Sequence, residues 1–213
     1  VSLGGDIDVA GRVDGDAVYW LEMRPNEGGR SVVVRRRPDG VVEDCIPGDF
    51  NARTRVHEYG GGSYLAASGV LFFANFADQR VYRMADAQPP LAITPAGDFR
   101  YADFVWDAPR RRIVCVCEDH TAGGEPRNIL VALDPDGRGS VTVLMSGRDL
   151  YAAPRLSPDG LALAWLAWSH PHMPWDAAEL WMARIAADGS LERPIHVAGG
   201  TRESAVQPLW SPD

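Results

Sequence analysis

The sequence predicts an all-β fold, a β-propeller built from four-stranded antiparallel blades, and three observations lead to this prediction. Apolar runs are short and end at turn residues, as in AVYWLEM, GVLFFANF, RRIVCVC and LALAWLAW. No long apolar stripe with helical spacing lies between them. Tight turns fall into two interleaved sets, and the turns of one set recur every 40 to 54 residues. A period of about 40–50 residues with four strands in each period is typical of propeller blades.

The turn spacing divides the chain into four blades and the first strand of a fifth. The blades are expected at about residues 6–47, 59–95, 99–146 and 151–199. The fifth blade is expected to begin within 204–213, because LSPD at Leu156 is repeated as WSPD at Trp210. A β-sandwich is the rival fold, but sandwiches rarely repeat one strand–turn pattern four times. The whole chain, 1–213, is therefore expected to be a partial propeller domain.

The two faces of the predicted disc differ in composition. In an antiparallel meander, first-to-second and third-to-fourth turns emerge on one face, and second-to-third loops and blade links emerge on the other. The first, which we call the turn face, receives plain turns such as SPDG and PDG. The second, which we call the loop face, receives MRPNEGGR, RVHEYGGG, CEDHTAGGEPRN and SHPHMPWDAAEL. This asymmetry favours the loop face as the surface for binding or docking.

Composition argues against several classes of function. All 21 basic residues are arginine, so these residues offer no lysine for Schiff-base chemistry. A net charge of −8 argues against nucleic acid as a partner, because phosphate binding requires a basic surface. No apolar run is long enough to cross a bilayer, so no membrane partner is expected. The odd count of three cysteines gives no disulfide framework and indicates a reducing, cytoplasmic setting.

The chain is expected to be part of a longer protein. It begins without methionine, and it stops at WSPD, a turn signal with no strand after it. The sequence does not determine the oligomeric state, and a homo-oligomer is left open.

The segment RVHEYGGGSY, from Arg55 to Tyr64, places three glycines after a cation, an imidazole and a carboxylate. No helix pattern follows that could direct a dipole at a phosphate, and the glycines lack the G-x-S-x-G spacing of a nucleophile elbow. We therefore interpret the segment as the link from the first blade to the innermost strand of the second. Glycine there would let neighbouring backbones approach closely beside the central channel.

Two residues of this link, His57 and Glu58, have two interpretations. In the first interpretation, they contact the amino group of a substrate or a second domain, since a carboxylate is the natural partner of an ammonium group. Alternatively, Glu58 forms a salt bridge with Arg55 and only fixes the loop. Asp119 and His120 are expected to fix their own loop by hydrogen bonds, with substrate contact as the alternative.

The loop SHPHMPWDAAEL raises a metal hypothesis. His170 and His172 are spaced to share an ion, and Asp176 and Glu179 are near in sequence, but zinc needs three or four converging ligands. The prolines and Trp175 favour a rigid aromatic docking loop instead. The C-x-C-x-x-H string of CVCEDH also lacks a fourth ligand. We therefore predict no metal and no cofactor.

Five segments follow one another along nearly the whole chain: RTRVHEYGGGSY, FFANFADQRVYR, CVCEDHTAGGEPRNILVALD, LYAAPRLSPDGLALAWLAWSHPHMPWDAAELW and ESAVQPLWSPD. In this order they closely resemble the propeller domain of prolyl oligopeptidase-family serine peptidases. The subgroup they resemble most is that of the bacterial dipeptidyl aminopeptidase/acylaminoacyl-peptidase-like proteins. Three positions depart from the family pattern. Cys117 stands where arginine is expected, His172 where asparagine is expected, and Ala177-Ala178 where glycine and a hydroxyl residue are expected.

The resemblance implies a function for the parent protein. In that family the propeller covers a C-terminal α/β-hydrolase domain, which carries a serine, aspartate and histidine triad, and it admits only short peptides. These residues include no such domain, so the chain is expected to be inert alone and to gate substrate and dock the hydrolase domain. The residues expected to do so are Arg55, His57, Glu58, Asp119, His120, His170, His172, Trp175 and Asp176. The alternative is a stand-alone propeller that serves as a protein-interaction scaffold.

Overall fold

The computed structural model describes residues 12–86, 88–139 and 141–211, and within these residues sixteen strands form four separate antiparallel sheets. Each sheet has four strands paired in chain order, which confirms the predicted all-β propeller fold. The part of the first predicted blade at 6–11 lies outside the described residues. The described helical structure is limited to a 3-10 turn at Pro25–Glu27 and a single short helix, α1, at Pro174–Ala177. No helix among these residues is long and apolar enough to cross a membrane.

The four sheets are the four blades. Blade one contains β1 (Arg12–Asp14), β2 (Ala17–Arg24), β3 (Arg30–Arg36) and β4 (Val42–Asp44). Blade two contains β5 (Tyr64–Ala67), β6 (Val70–Ala74), β7 (Val81–Ala85) and β8 (Leu91–Ala92). Blade three contains β9 (Phe99–Asp107), β10 (Arg112–Asp119), β11 (Arg127–Leu133) and β12 (Thr142–Met145). Blade four contains β13 (Leu150–Leu156), β14 (Ala162–Trp168), β15 (Glu179–Ile185) and β16 (Leu191–Gly199).

Neighbouring blades are joined by apolar layers, and β10 shows how the sequence produces them. Successive side chains of a strand point to opposite faces of its sheet. Ile113 and Cys115 belong to an apolar cluster that includes Phe72 of blade two. Val114, between them, belongs to a second cluster that includes Trp165 of blade four. Each fully buried aliphatic side chain contributes about 1.5–3 kcal/mol, so a strand that is apolar on both faces joins both neighbouring blades to its own.

The cysteines in the chain are free thiols. Cys115 and Cys117 lie two residues apart in β10 and face the same side, as their spacing predicts, and both are buried. Burial is the main cause that raises the pKa of Cys117, to about 12. Cys45 is half-buried just after β4, and burial raises the pKa of its thiol to about 11. All three side chains therefore stay protonated and unreactive at neutral pH.

The start of a fifth blade within 204–213 stays a prediction, because the structure describes this segment only to residue 211 and residues 204–211 lie in no assigned strand. The segment still lies against blade four, where the indole Nε1 of Trp210 donates to the Arg155 carbonyl oxygen at 2.9 Å. The innermost strand of a blade takes its ladder hydrogen bonds from the second strand of the same blade. No strand that could pair with this segment in that way is among the described residues, so they do not test the prediction.

On the turn face, carboxylates connect one blade to the next. The backbone N–H groups of Ser68 and Gly69, in the first turn of blade two, donate to the two oxygens of Asp14 in blade one at 2.9 and 2.7 Å. These contacts place the first-to-second turns of both blades on one face, as the alternation of strand direction requires.

Blades three and four are connected on the same face through Asp107, the last residue of β9. Its side chain is fully buried, and its two oxygens accept hydrogen bonds from Arg110 at 3.1 Å and Arg112 at 2.7 Å. The same two guanidinium groups donate to the carbonyl oxygens of Gly160 and Gly189 in blade four at 2.9 and 2.8 Å. Asp107 therefore holds both arginines in the positions from which they reach the next blade.

Replacing Asp107 with alanine should destabilise the protein strongly. Removing one member of a buried ion pair leaves two arginines without their anion, which costs about 3–5 kcal/mol. We expect a loss of this size in the free energy of unfolding, measured by urea denaturation. The control is Asp136→Ala, because the Asp136 carboxylate lies at the surface, 3.8 Å from Arg83, and its loss should cost less than about 1 kcal/mol. Equal losses for the two variants would show that the Asp107 cluster does not join the blades.

Candidate functional site

The link between blades one and two lies on the loop face together with the β14–β15 loop. The two meet where the ring of His57 packs against that of Trp168, the last residue of β14, with centroids 5.2 Å apart. The β14–β15 loop, residues 169–178, continues directly from Trp168 and contains α1. Trp175 in this loop is 66% exposed and Tyr59 in the link is 60% exposed. Two large aromatic groups on this face are thus open to solvent.

The imidazole of His57 is held by Glu118 and Asn128 of blade three. The His57 backbone N–H donates to Glu118 Oε1 at 2.7 Å, and its ring Nε2 lies 3.1 Å from Asn128 Oδ1. Asn128 Nδ2 donates to Glu118 Oε1 at 3.3 Å, which leaves Asn128 Oδ1 as an acceptor and places the proton on His57 Nε2. Burial lowers the pKa of His57, and the charge of Glu118 opposes that effect. His57 is therefore a positioned, largely neutral side chain.

The ion pair between Arg55 and Glu58, one of the two interpretations of this link, is not formed. Arg100 of β9 is the partner of Glu58, with its Nη1 donating to Glu58 Oε1 at 2.5 Å and to the Arg55 carbonyl oxygen at 3.0 Å. The guanidinium of Arg55 instead lies over the ring of Phe76, 4.8 Å from its centroid. Hydrogen bonding to Arg100 lowers the pKa of Glu58, so the carboxylate is ionised at neutral pH. Its side chain remains 76% exposed, which leaves it open to a second partner.

Two of the three glycines of the link, Gly61 and Gly62, lie against Asp103, which explains their presence. Asp103 Oδ1 accepts the Gly62 N–H at 2.7 Å, and Asp103 Oδ2 accepts the Ala153 N–H of blade four at 2.8 Å. The Asp103 N–H in turn donates to the Gly62 carbonyl oxygen at 2.8 Å. A Cβ on Gly61 would lie 2.9 Å from Asp103 Oδ1 and 3.1 Å from the Cβ of Ala102. Side chains at these positions would separate blade two from blade three.

Asp103 was not among the residues selected from the sequence, although a signal for it exists. Asp103 in YADF and Ala153 in YAAP occupy equivalent places in the innermost strands of consecutive blades. Both have positive φ, +59° and +49°, next to an irregularity in strand pairing. Aspartate tolerates this conformation better than most residues, and its short carboxylate reaches neighbouring amides. Comparing the innermost strands blade by blade would have identified it.

Asp119 and His120 lie where β10 enters its loop. Asp119 Oδ1 accepts the N–H of Thr121 at 3.0 Å and its hydroxyl at 2.6 Å. His120 Nε2 lies 3.2 Å from Glu118 Oε2 and so joins the group around His57. Sequence reasoning did not select Glu118, which is 2% exposed at the end of an apolar strand. A carboxylate in that buried position was itself the signal, because such groups are rarely buried without partners.

The histidines of the β14–β15 loop do not form a metal site with their neighbours. His170 donates its backbone N–H to Asp149 Oδ2 at 2.9 Å, and Asp176 Oδ2 accepts the Met173 N–H at 3.3 Å. Among the described residues, no three histidine, cysteine, aspartate or glutamate side chains converge on one point. These two hydrogen bonds fix the shape of the loop, and His172 lies within it.

Comparisons with solved structures identify proteins similar to this chain. A puromycin-hydrolysing peptidase from Mycobacterium tuberculosis is 40% identical over 94% of the chain, with a TM-score of 0.85. A mutant puromycin hydrolase, solved in complex with PGG, is 36% identical over 94% of the chain, with a TM-score of 0.87. The chain belongs to the propeller domains of the prolyl oligopeptidase family. No protein-family model and no curated protein matches it.

The chain matches only part of each of these peptidases. It spans 33% of the length of each of the two puromycin-hydrolysing proteins. A putative TolB from Agrobacterium tumefaciens is also similar, with 16% identity, 93% of this chain and 67% of that chain covered, and a TM-score of 0.60. At that identity the likeness shows the propeller fold alone.

Substituting Gly61 with alanine should loosen the packing of this propeller's link against blade three. The added methyl group has no room between Asp103 and Ala102, and overpacking of this kind costs about 1–3 kcal/mol. The matched control is Gly48→Ala, since a Cβ on Gly48 has no heavy atom within 4 Å. Thermal unfolding should show a lower midpoint for Gly61→Ala only. An unchanged midpoint would contradict the close approach.

The buried His57 should make the stability of this propeller depend on pH. Its pKa in the folded state lies below the unfolded value of about 6.5, so the unfolded chain binds the proton first as pH falls. Stability is therefore fully present above about pH 6.5 and is lost as pH falls toward the folded pKa. We expect His57→Gln to flatten urea-measured stability between about pH 7.5 and 5.5, with His196→Gln on the exposed strand β16 as the control. A wild-type slope in His57→Gln would contradict this assignment.

Proposed function

We propose that this chain is the non-catalytic propeller part of a serine peptidase of the prolyl oligopeptidase family that acts on short peptides. The observation that carries the proposal is the 36–40% identity over 94% of the chain to puromycin-hydrolysing peptidases, of which it spans a third. The remaining two thirds of such a protein has room for further blades and for a C-terminal α/β-hydrolase domain. That domain would supply the serine, histidine and aspartate that cleave the peptide.

The loop face is the surface that we propose meets this hydrolase domain and gates the substrate. The link is fixed by groups of blade three, because Glu118 holds His57, Arg100 holds Glu58 and Asp103 holds Gly62. Around this fixed base, the side chains of Tyr59, Trp175 and Glu58 remain exposed. Exposed aromatic groups on a rigid support are typical contact residues in interfaces. This arrangement supports a docking surface.

Within this proposal the candidate residues divide by exposure. Glu58 and Trp175 suit direct contact, with the ionised Glu58 carboxylate facing the amino terminus of a peptide. His57 and His120 suit a positioning role, because both are bonded within the Glu118 group. Arg55 lies on Phe76 at the edge of the link.

The remaining candidates shape the loops of this face. Asp119 holds the loop after β10, and Asp176 holds the β14–β15 loop, in which His170 and His172 lie.

The context of the parent protein is part of the proposal. The partial domain would be completed by further blades, the first of which begins within 204–213. The odd number of cysteines, all with free thiols, supports a reducing, cytoplasmic compartment. We propose no metal and no cofactor for this part of the protein. A stand-alone scaffold is the competing function, and the similarity to the puromycin-hydrolysing peptidases favours the peptidase.

The test uses the full-length protein and two matched substrates, an aminoacyl nitroanilide with a free amino group and its N-acetylated form. Wild type should cleave the substrate with the free amino group, and an organophosphate should abolish the reaction. Glu58→Gln removes one charge-assisted hydrogen bond, so it should lower kcat/KM for that substrate by the equivalent of about 1.5–3 kcal/mol and leave the acetylated one little changed. The control Asp188→Asn, on the turn face, should change neither.

Each alternative has its own outcome. Equal losses on both substrates together with a lower unfolding temperature would show that Glu58 only fixes the link. A full-length protein without organophosphate-sensitive hydrolysis would favour the scaffold and contradict the peptidase. Turnover by the 213-residue chain alone, free of contaminating peptidase, would contradict the assignment of this chain as non-catalytic.

A further inference from the structure

A groove of about 630 Å³ lies between blades two and three and shares Asp119 with the loop-face site described above. We call it the side groove, and the lining residues that define it here are Arg80, Ile93, Phe99, Asp119, Arg127 and Val143. Its volume falls within the range of about 300–1,000 Å³ that is usual for small-molecule sites.

The groove is open because the outermost strand of blade two is short. β8 has only two residues, Leu91–Ala92. Pro89 and Pro90 precede it and Pro95 follows closely, and proline cannot donate a ladder hydrogen bond. A strand of two residues cannot cover the facing side of β12, where Val143 remains 46% exposed.

The walls of the side groove are largely apolar. Phe99, Ile129 and Val143 line its blade-three side, and Ile93 lines its blade-two side. Gly137 adds no side chain where its loop touches Ile93, and a Cβ there would lie 2.9 Å from the Ile93 Cα. The loop can therefore pass close to blade two without filling the groove. Such walls favour a flat aromatic or branched apolar group.

Three charged side chains line the groove, two cationic and one anionic. Arg80 is held in place because its Nε and Nη2 both donate to the Thr94 carbonyl oxygen, at 2.9 and 2.7 Å. Asp119 Oδ1 is already used by Thr121, and these hydrogen bonds, with the nearby charge of Arg127, lower the pKa of this carboxyl. The guanidinium of Arg127 makes no hydrogen bond within the described residues. The lining thus has a net positive charge in a chain whose net charge is −8.

We propose that the side groove binds a small aromatic carboxylate. The aromatic body lies against the apolar walls, and the carboxylate pairs with the guanidinium of Arg127, which can donate two parallel hydrogen bonds to it. Arg80 adds a second positive charge at the same groove. A neutral ligand of the same shape gains only the apolar contact, so the charge provides the selectivity. This site is separate from the proposed peptidase function and does not depend on it.

The experiment measures binding to the full-length protein by isothermal titration calorimetry, with 4-phenylbutyrate as the anionic probe and 4-phenylbutyramide as its neutral counterpart. We expect 4-phenylbutyrate to bind saturably and at least about tenfold more tightly than the amide, the ratio expected for one charge-assisted hydrogen bond. Arg127→Gln should remove this preference by weakening the carboxylate only. Val143→Phe, which fills the groove, should weaken both probes.

Two variants serve as matched controls. Arg36→Gln changes an exposed strand arginine of blade one, and Val42→Phe changes an exposed valine of the outermost strand there, and neither residue lines the groove. Both should bind the probes as wild type does. Absence of saturable 4-phenylbutyrate binding, an unchanged preference in Arg127→Gln, or equal binding by Val143→Phe and wild type would each overturn the proposal. Circular dichroism melting of all four variants checks that each remains folded.

Discussion

The carboxylate of Asp103 joins three blades, and the geometry of the link between blades one and two depends on it. One oxygen accepts an amide of blade two and the other accepts an amide of blade four, so a side chain of blade three fixes both neighbours. Backbone amides buried between blades must find acceptors, because an unpaired one costs about 1–3 kcal/mol. Glycine at 61 and 62 is the condition for this contact, since a Cβ would meet Asp103 at 2.9 or 3.2 Å.

The sequence was sufficient to predict the fold because the fold depends on local signals. A continuous apolar run, as in β10, specifies a strand buried on both faces, and repeated turn residues specify where each strand ends. Local apolar patterns therefore predict where strands lie, whereas the pairing of a strand depends on which other strands lie beside it.

The site was less predictable than the fold because its contacts join residues far apart in sequence. Arg55 was considered as the partner of Glu58 because it is three residues away, yet the partner is Arg100, 42 residues further on. Glu118 and Asp103 likewise act on a link that precedes them by 61 and 41 residues. Contacts between residues so far apart in sequence arise from the packing of neighbouring blades, and no short sequence motif encodes that packing. The exposed Trp175 was easier to place because loops lie at the surface, whereas the exposed Tyr59 of the link was not selected from the sequence.

Blade three holds the groups that fix the link, and this has a consequence for how the chain acquires its shape during synthesis. Each blade is a meander whose strands pair in chain order, so its hairpins can form as soon as they leave the ribosome. The link at 55–62 cannot reach its final conformation this early, because its partners Arg100, Asp103 and Glu118 are translated later. It stays a loose connection until blade three is complete. If blade three were replaced by the equivalent blade of a related propeller, the groups that order the link between blades one and two would be replaced with it.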